Sequence, residues 1–236
     1  MSKTDQAYQM LKRDILSGVL RPDVALTVSM LTERFGLGWT PLRDALSRLE
    51  GENLVTLVRN RGYRVAGASY AELLDIQRAR LTIETELLRA SIRNGDDEWQ
   101  KRVLLAHRAL SRAPTLERDM PQATYEAFEV PHQDFHLALV SGDESPWLSR
   151  FLEQVYAQVR RHQRLVVLAR AALSDPRTDA ALLASLHSSA ALEPHTRLME
   201  AALDRDEDGA VELLIRHIGA ILTAPDAVQL DGQEGG

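Results

Sequence analysis

Cysteine is absent from the 236 residues, aromatic side chains make up only 5%, and no apolar run is long enough to cross a bilayer. The first absence excludes disulfides, thiol nucleophiles and cysteine-based zinc sites. The scarcity of aromatics leaves Leu and Ala dominant, a composition that favours helices. The third absence, together with the lack of a charged-then-apolar leader, gives the expectation of a soluble, cytoplasmic chain. Positive charge is also in deficit, with 28 Lys/Arg against 34 Asp/Glu and a net charge of −6. A hydrophobic content of 44% nevertheless supports a real core and excludes disorder throughout.

The charge is unevenly divided. Residues 1–66 carry ten Lys/Arg and seven Asp/Glu, a balance of +3, whereas residues 67–236 carry eighteen and twenty-seven, a balance of −9. The basic part also has the clearest pattern. Gln6–Ser17 reads as a first helix. Met30, Leu31 and Phe35 mark a second over Val28–Phe35, and Gly36-Leu37-Gly38 is a turn. Thr40-Pro41 then opens a third helix to about Asn53, with Leu42, Ala45, Leu46 and Leu49 on one face. Thr40 is the expected N-cap, and Pro41 suits a first turn where its missing N–H has no partner anyway. Residues 54–58 and 63–65 read as strands of a hairpin around Arg59-Asn60-Arg61-Gly62. A helix–turn–helix followed by a basic hairpin is a winged DNA-binding head. Arg43, in the first turn of the third helix, can pair with a guanine edge. Thr40, the helix's N-terminal amides and Arg48 can hold phosphates, and Arg59, Arg61 and Gly62 form the wing tip. A surplus of +3 is modest, so tight binding calls for two heads, a homodimer on a palindromic site.

Gly67-Ala68-Ser69 is a small-residue linker. After it the pattern is helical throughout: 70–94, 98–112, 121–141, 146–173, 178–203 with a break at Pro194, and 207–223. These predict an antiparallel bundle over 70–224, followed by a frayed tail over 225–236. The fold class is mainly α: a winged head over 1–66, a linker over 67–69 and a helical effector- and metal-binding domain.

Histidine is the distinctive residue of the bundle. His132 and His136 stand at i, i+4, a spacing that lets two imidazoles share a metal. His195 and His217 each lie eleven residues from Asp206, so a helical hairpin turning there brings them to one height. Buried, hydrogen-bonded core histidines are the alternative reading. His107, His162 and His187 have no partner at useful spacing and read as surface residues. Arg160, Arg161 and Arg164 read as solvated helix charges, or else as an anion pocket.

The order of residues in the head resembles the GntR family of bacterial transcription regulators. Ile15, Gly18, Leu20 and Pro22 match its first turn, Thr40-Pro41-Leu42-Arg43-Asp44-Ala45-Leu46 its recognition helix, and Arg61-Gly62 its wing. Gly38-Trp39 replaces the usual Ser-Arg, which removes an N-cap hydroxyl and a DNA-contacting Arg. Residues 70–223 resemble the FCD ligand-binding domain of the FadR subfamily. That resemblance implies a divalent metal held by His136 (in Phe135-His136), His195 and His217. His132 stands where relatives have a carboxylate, and Asp134 faces elsewhere. Four nitrogens favour zinc or nickel over magnesium or calcium. Arg80 and Glu84 match an Arg-x-x-x-Glu whose Arg faces the effector, here a small carboxylate; an exposed i, i+4 ion pair is the plainer reading. Asp179–Leu192 looks like an insertion.

The resulting expectation is an effector-responsive DNA-binding transcription repressor, not an enzyme, that senses a small organic acid through a metal-containing bundle. The alternatives are a metal-free sensor of acyl chains and a metal-dependent hydrolase fused to a DNA-binding head. The hydrolase reading lacks a general base of the His-Glu-x-x-His kind.

Overall fold

The computed structural model describes residues 2–117, 120–142, 145–168, 184–185, 187–188 and 190–231. Helix α1 spans Lys3–Leu16 and opens with a capping box between Ser2 and Asp5. Strand β1 (Ala25–Leu26) precedes α2 (Val28–Phe35), which Thr27 caps and Gly36 ends in a left-handed conformation. Helix α3 covers Trp39–Gly51. Strands β2 (Val55–Val58) and β3 (Gly62–Val65) follow.

The sheet has three strands, not the two expected. Its order is β1-β3-β2, all antiparallel, with Leu26 opposite Tyr63 and Leu57 opposite Tyr63 from the other side. A two-residue strand leaves no periodicity to read. The wing turn agrees with the sequence: Asn60 and Gly62 both adopt positive φ, 61° and 77°. The N-cap of α3 does not. The helix begins at Trp39 with Gly38 as a cap that has no side chain to offer, so Thr40 sits inside the first turn. Pro41 remains within that turn. Leu11, Leu31, Leu42, Leu46, Leu49 and Leu54 are fully buried and form the centre of the head's core, with Trp39 packed against its edge.

The bundle begins with α4 (Tyr70–Asn94), capped by Ser69 through the Glu72 amide at 3.1 Å. Then come α5 (Asp97–Leu110), α6 (Gln122–Leu139), α7 (Pro146–Leu168), α8 (Leu192–Leu203) and α9 (Glu207–Asp231). No strand occurs after Val65 among the described residues. Helix α4 runs between α7 and α9, while α5 packs on α6 and α8. Leu87, Leu88, Trp99, Phe135, Leu152 and Leu214 anchor this second core, and the Trp99 indole donates to the Leu139 carbonyl at 3.0 Å.

Pro131 lies inside α6, where it removes one hydrogen bond of the helical ladder. Pro194 falls in the first turn of α8, where its missing donor costs nothing, so the expected break is a helix start. The last helix continues to Asp231 rather than fraying after Thr223, running through Pro225 at the cost of one hydrogen bond of its ladder. Residues 169–183, 186 and 189, which include half of the expected insertion at 179–192, and residues 232–236 lie outside the described residues. No described helix is long and apolar enough to cross a membrane.

Candidate metal centre

The four expected histidines meet. His132 and His136 project from α6 directly after Pro131, His195 from the first turn of α8, and His217 from the middle of α9. Their ligand atoms all lie within 4.8 Å of one another. Ring centroids are 4.6 Å apart for His195–His217, 4.8 Å for His132–His195 and 5.0 Å for His132–His136.

Two local devices produce this convergence. The i, i+4 step stacks the α6 pair on one face. The α8–α9 hairpin folds about Arg205, whose φ is 62°, and Asp206, whose side chain accepts from the Gly209 amide at 3.0 Å. The Arg205 guanidinium then donates to the carbonyls of Ile92 and Gly95, which fastens the hairpin to the end of α4.

The rings are held by their outer nitrogens. His136 Nδ1 donates to Glu84 Oε1 at 2.6 Å, and His195 Nδ1 donates to the Ala191 carbonyl at 2.6 Å. Each bond fixes the tautomer and turns Nε2 toward the cluster. His136 Nε2 and His217 Nε2 are 3.1 Å apart. Two nitrogens at zinc-bond length in a tetrahedral sphere sit about 3.3 Å apart. His132 Nε2 and His195 Nε2 are buried with no hydrogen-bond partner. Unsatisfied lone pairs inside a protein are costly, and a cation satisfies them. Burial, then the neighbouring imidazoles, push His132 and His217 well below the usual histidine range; burial, then the Arg80 charge, do the same to His136. His195 falls to about 4, chiefly by burial. Neutral imidazole is the ligating form. The residues therefore fit a divalent transition metal.

Behind the rings lies a buried polar network. Arg80 and Glu84 form an ion pair at 2.7 Å that is almost fully enclosed, not the exposed pair that spacing alone allows. The Tyr156 hydroxyl donates to Glu84 Oε2 at 3.0 Å and accepts from Arg80 Nη2 at 3.2 Å. Burial pushes the Tyr156 phenol well above its ordinary range, so it stays protonated. Burial disfavours the Arg80 charge, but Glu84 and Tyr156 more than offset this. Tyr156 was not picked out from the sequence. Its signal was available: it shares the apolar face of α7 with Leu152 and Val159, and a buried hydroxyl needs a partner.

Several residues expected on the surface are inside. His162 is buried and bonds the Gln158 carbonyl and Glu72. Arg164 is buried against Glu129 and Glu126, and Arg160 pairs with Glu129. Arg161 is buried against the linker carbonyls. Arg164 and Arg161 are therefore not the solvated helix charges expected, each being enclosed and bonded to carboxylates or carbonyls. His107 is half-buried and meets Thr196 Oγ1 at 2.8 Å; His187 is half-buried, and Asp134 is exposed as expected.

On the head, Thr40, Arg43, Arg59, Arg61 and Gly62 are exposed. Arg43 has only a loose 3.9 Å approach to its neighbour Asp44. Arg48 is already engaged, 3.0 Å from Asp5 and over the Tyr8 ring, as a strut between α3 and α1. Trp39 packs against the core.

Comparison with known proteins follows the same division. Residues 3–65 match the family described as bacterial regulatory proteins, gntR family, and residues 75–220 match the FCD domain. The HTH-type transcriptional repressor GlaR of Escherichia coli K12 is 38% identical over 211 residues, 89% of this chain and 90% of its own. The HTH-type transcriptional regulator BphR of Paraburkholderia xenovorans LB400 is 32% identical over 220 residues, covering 92% of this chain and 82% of its own. The fold is shared with E. coli McbR/YncC, with a TM-score of 0.67 at 22% identity and full coverage of both chains.

Proposed function

The chain belongs to the gntR family of bacterial regulatory proteins, with an FCD domain behind its DNA-binding head, and on that premise we propose that it is a metal-dependent, FadR-type repressor that answers to a small organic acid. That it is a DNA-binding transcription regulator with an effector-binding domain follows from the family, and the hydrolase reading falls with it.

The observation that carries the finer reading is the meeting of four neutral imidazoles from three helices, with two buried nitrogens left unsatisfied. His132, His136, His195 and His217 would hold zinc or nickel. The metal would supply a Lewis-acidic point for one carboxylate oxygen of the effector. Arg80, one helical turn before Glu84 on α4, would take the rest of the carboxylate. Glu84 orients His136, and Tyr156 keeps Glu84 and Arg80 in register. Residues 1–66 would form the DNA-binding unit, 67–69 the linker and 70–224 the sensing unit. Thr40, Arg43 and the Arg59–Gly62 wing would contact DNA, two heads of a homodimer reading a palindrome in the cytoplasm. The acid acts by favouring one placement of the heads over another.

Elemental analysis of the gently purified full-length chain tests the metal. About one zinc or nickel per chain is expected; a metal-free protein that binds neither ion removes the centre and returns the acyl-chain alternative. Electrophoretic mobility shifts of its operator, titrated with a panel of small organic acids, test the response. Unchanged DNA affinity across the panel removes the acid.

A further inference from the structure

Helix α7 touches both halves of the molecule within two turns. Tyr156 faces the bundle and bonds Arg80 and Glu84. Two residues on, Gln158 Nε2 donates to the Glu52 carbonyl at 2.8 Å. Glu52 is the C-cap of α3, and its carboxylate is gripped by Tyr8 and by Lys12 at 2.6 Å. Three residues further, Arg161 Nη2 donates to the carbonyls of Ala66 and Gly67, the latter at 2.8 Å. His162 closes the group by meeting Glu72 in the first turn of α4. From Tyr156 to Arg161 the rise is about 7.5 Å and the rotation about 140°, so one side of α7 faces the network while another faces the linker.

Arg161 is unusual in what it bonds. It is 2% exposed, and its described partners are peptide carbonyls rather than a carboxylate. Enclosing a guanidinium disfavours it unless strong acceptors compensate. The two carbonyls belong to the segment where chain direction passes from β3 to α4, so the ion fixes that turn. Elsewhere α1 of the head packs on α7 beside an open cleft. A cleft of about 240 Å³ separates Arg13, Leu16 and Ser17 on the head from Glu126, Val130, Arg160 and Arg164 on the bundle. Of the bonds that α7 makes to the head, that of Gln158 falls at the end of α3 itself and those of Arg161 at the exit of β3 and the start of the linker.

We propose that Arg161 and Gln158 are positioning residues: they clamp the linker and the end of the recognition helix to α7, and pass to them any displacement of Tyr156. This deepens the proposed function and rests on it for the stimulus, since Tyr156 responds through Glu84, which bonds the His136 ring. The clamp itself requires no metal.

The absence of cysteine makes the test clean. Cysteines introduced at exposed Leu57 on the wing and exposed Leu105 on α5 carry spin labels, and the full-length labelled chain is diluted with unlabelled chain. Double electron–electron resonance then reads the head-to-bundle distance with and without zinc, while calorimetry reads zinc affinity separately. The unmodified background is expected to give a narrow distribution that zinc shifts. Arg161→Ala is expected to broaden the distribution and abolish the shift while zinc affinity stays unchanged; Gln158→Leu, a milder change, should do so in part. Circular dichroism confirms that each variant folds, and if Arg161→Ala does not, Gln158→Leu carries the test. Distributions in the folded variants that match the background overturn the clamp. A narrow background distribution that zinc binds without shifting overturns the relay to Tyr156. Absence of zinc binding with a broadened Arg161→Ala distribution overturns the metal reading and leaves the clamp standing.

Discussion

The head and the bundle bury different things. The head encloses Leu11, Leu31, Leu42, Leu46, Leu49 and Leu54 and leaves most of its charges in solvent. The bundle encloses Trp99, Phe135 and its leucines, but also Gln77, Arg80, Glu84, Arg164, Glu129 and the histidine cluster. An apolar core is stabilised by removing area from water and holds no group that a proton or a specific ligand must answer. A core with polar groups inside is stable only when every group is answered, which makes it conditional on protons and ligands. The difference separates a part that must keep its shape to read DNA from a part built to change state.

The comparison can be broken most sharply at the metal. A zinc concentration a thousand times the Kd should stabilise the bundle by about 4 kcal/mol. His136→Ala should remove that gain, seen as the loss of a zinc-dependent rise in melting temperature, and should leave the head's transition unmoved. Leu46→Ala should do the reverse: it should destabilise the head by roughly 2–5 kcal/mol in denaturant titration, with or without zinc.

Acid should also tell the two parts apart. His195 titrates near 4 when folded, below its ordinary 6.5. The unfolded chain therefore binds more protons between these values, and stability falls as pH drops through that window. For this one group the loss in the metal-free protein is on the order of 3 kcal/mol. His132, His136 and His217 shift in the same direction. Thermal melts from pH 7 to pH 4 should show the bundle failing first, and zinc should move its failure to lower pH.

The smallest effect sharpens the rule. Both ends of the buried Gln77 amide lack a partner among the described residues. Gln77→Leu should raise the melting temperature of the effector-free protein, by about 1–3 kcal/mol in stability terms. A fall instead would show that a bound water or ligand satisfies the amide.

Much of this was legible in the sequence where periodicity carried it. The i, i+4 pair and the count about Asp206 found His132, His136, His195 and His217 without knowledge of neighbouring helices. The turn residues Asn60 and Gly62 located the wing. What pattern could not supply was depth. Arg80–Glu84 has the same spacing on a surface as in a core, and the enclosing α7 is some seventy residues away in sequence. Arg161, Arg164 and His162 looked solvated for the same reason: three arginines in five positions resemble an exposed face until Glu129, Glu72 and the linker carbonyls are placed around them. Thr40 was misplaced as a cap because Gly38 offers no side chain to mark the true start, and β1 is too short to show alternation.

Consider finally the electrical balance of the nitrogen cluster. The four imidazoles contribute no negative charge, and that of Glu84 is already cancelled by Arg80. A divalent ion seated among them would keep its double positive charge inside an oily interior. Charge balance would then favour an incoming anion, so on the proposed reading ion and organic acid would be each other's counter-charge, and each should hold poorly when the other is scarce.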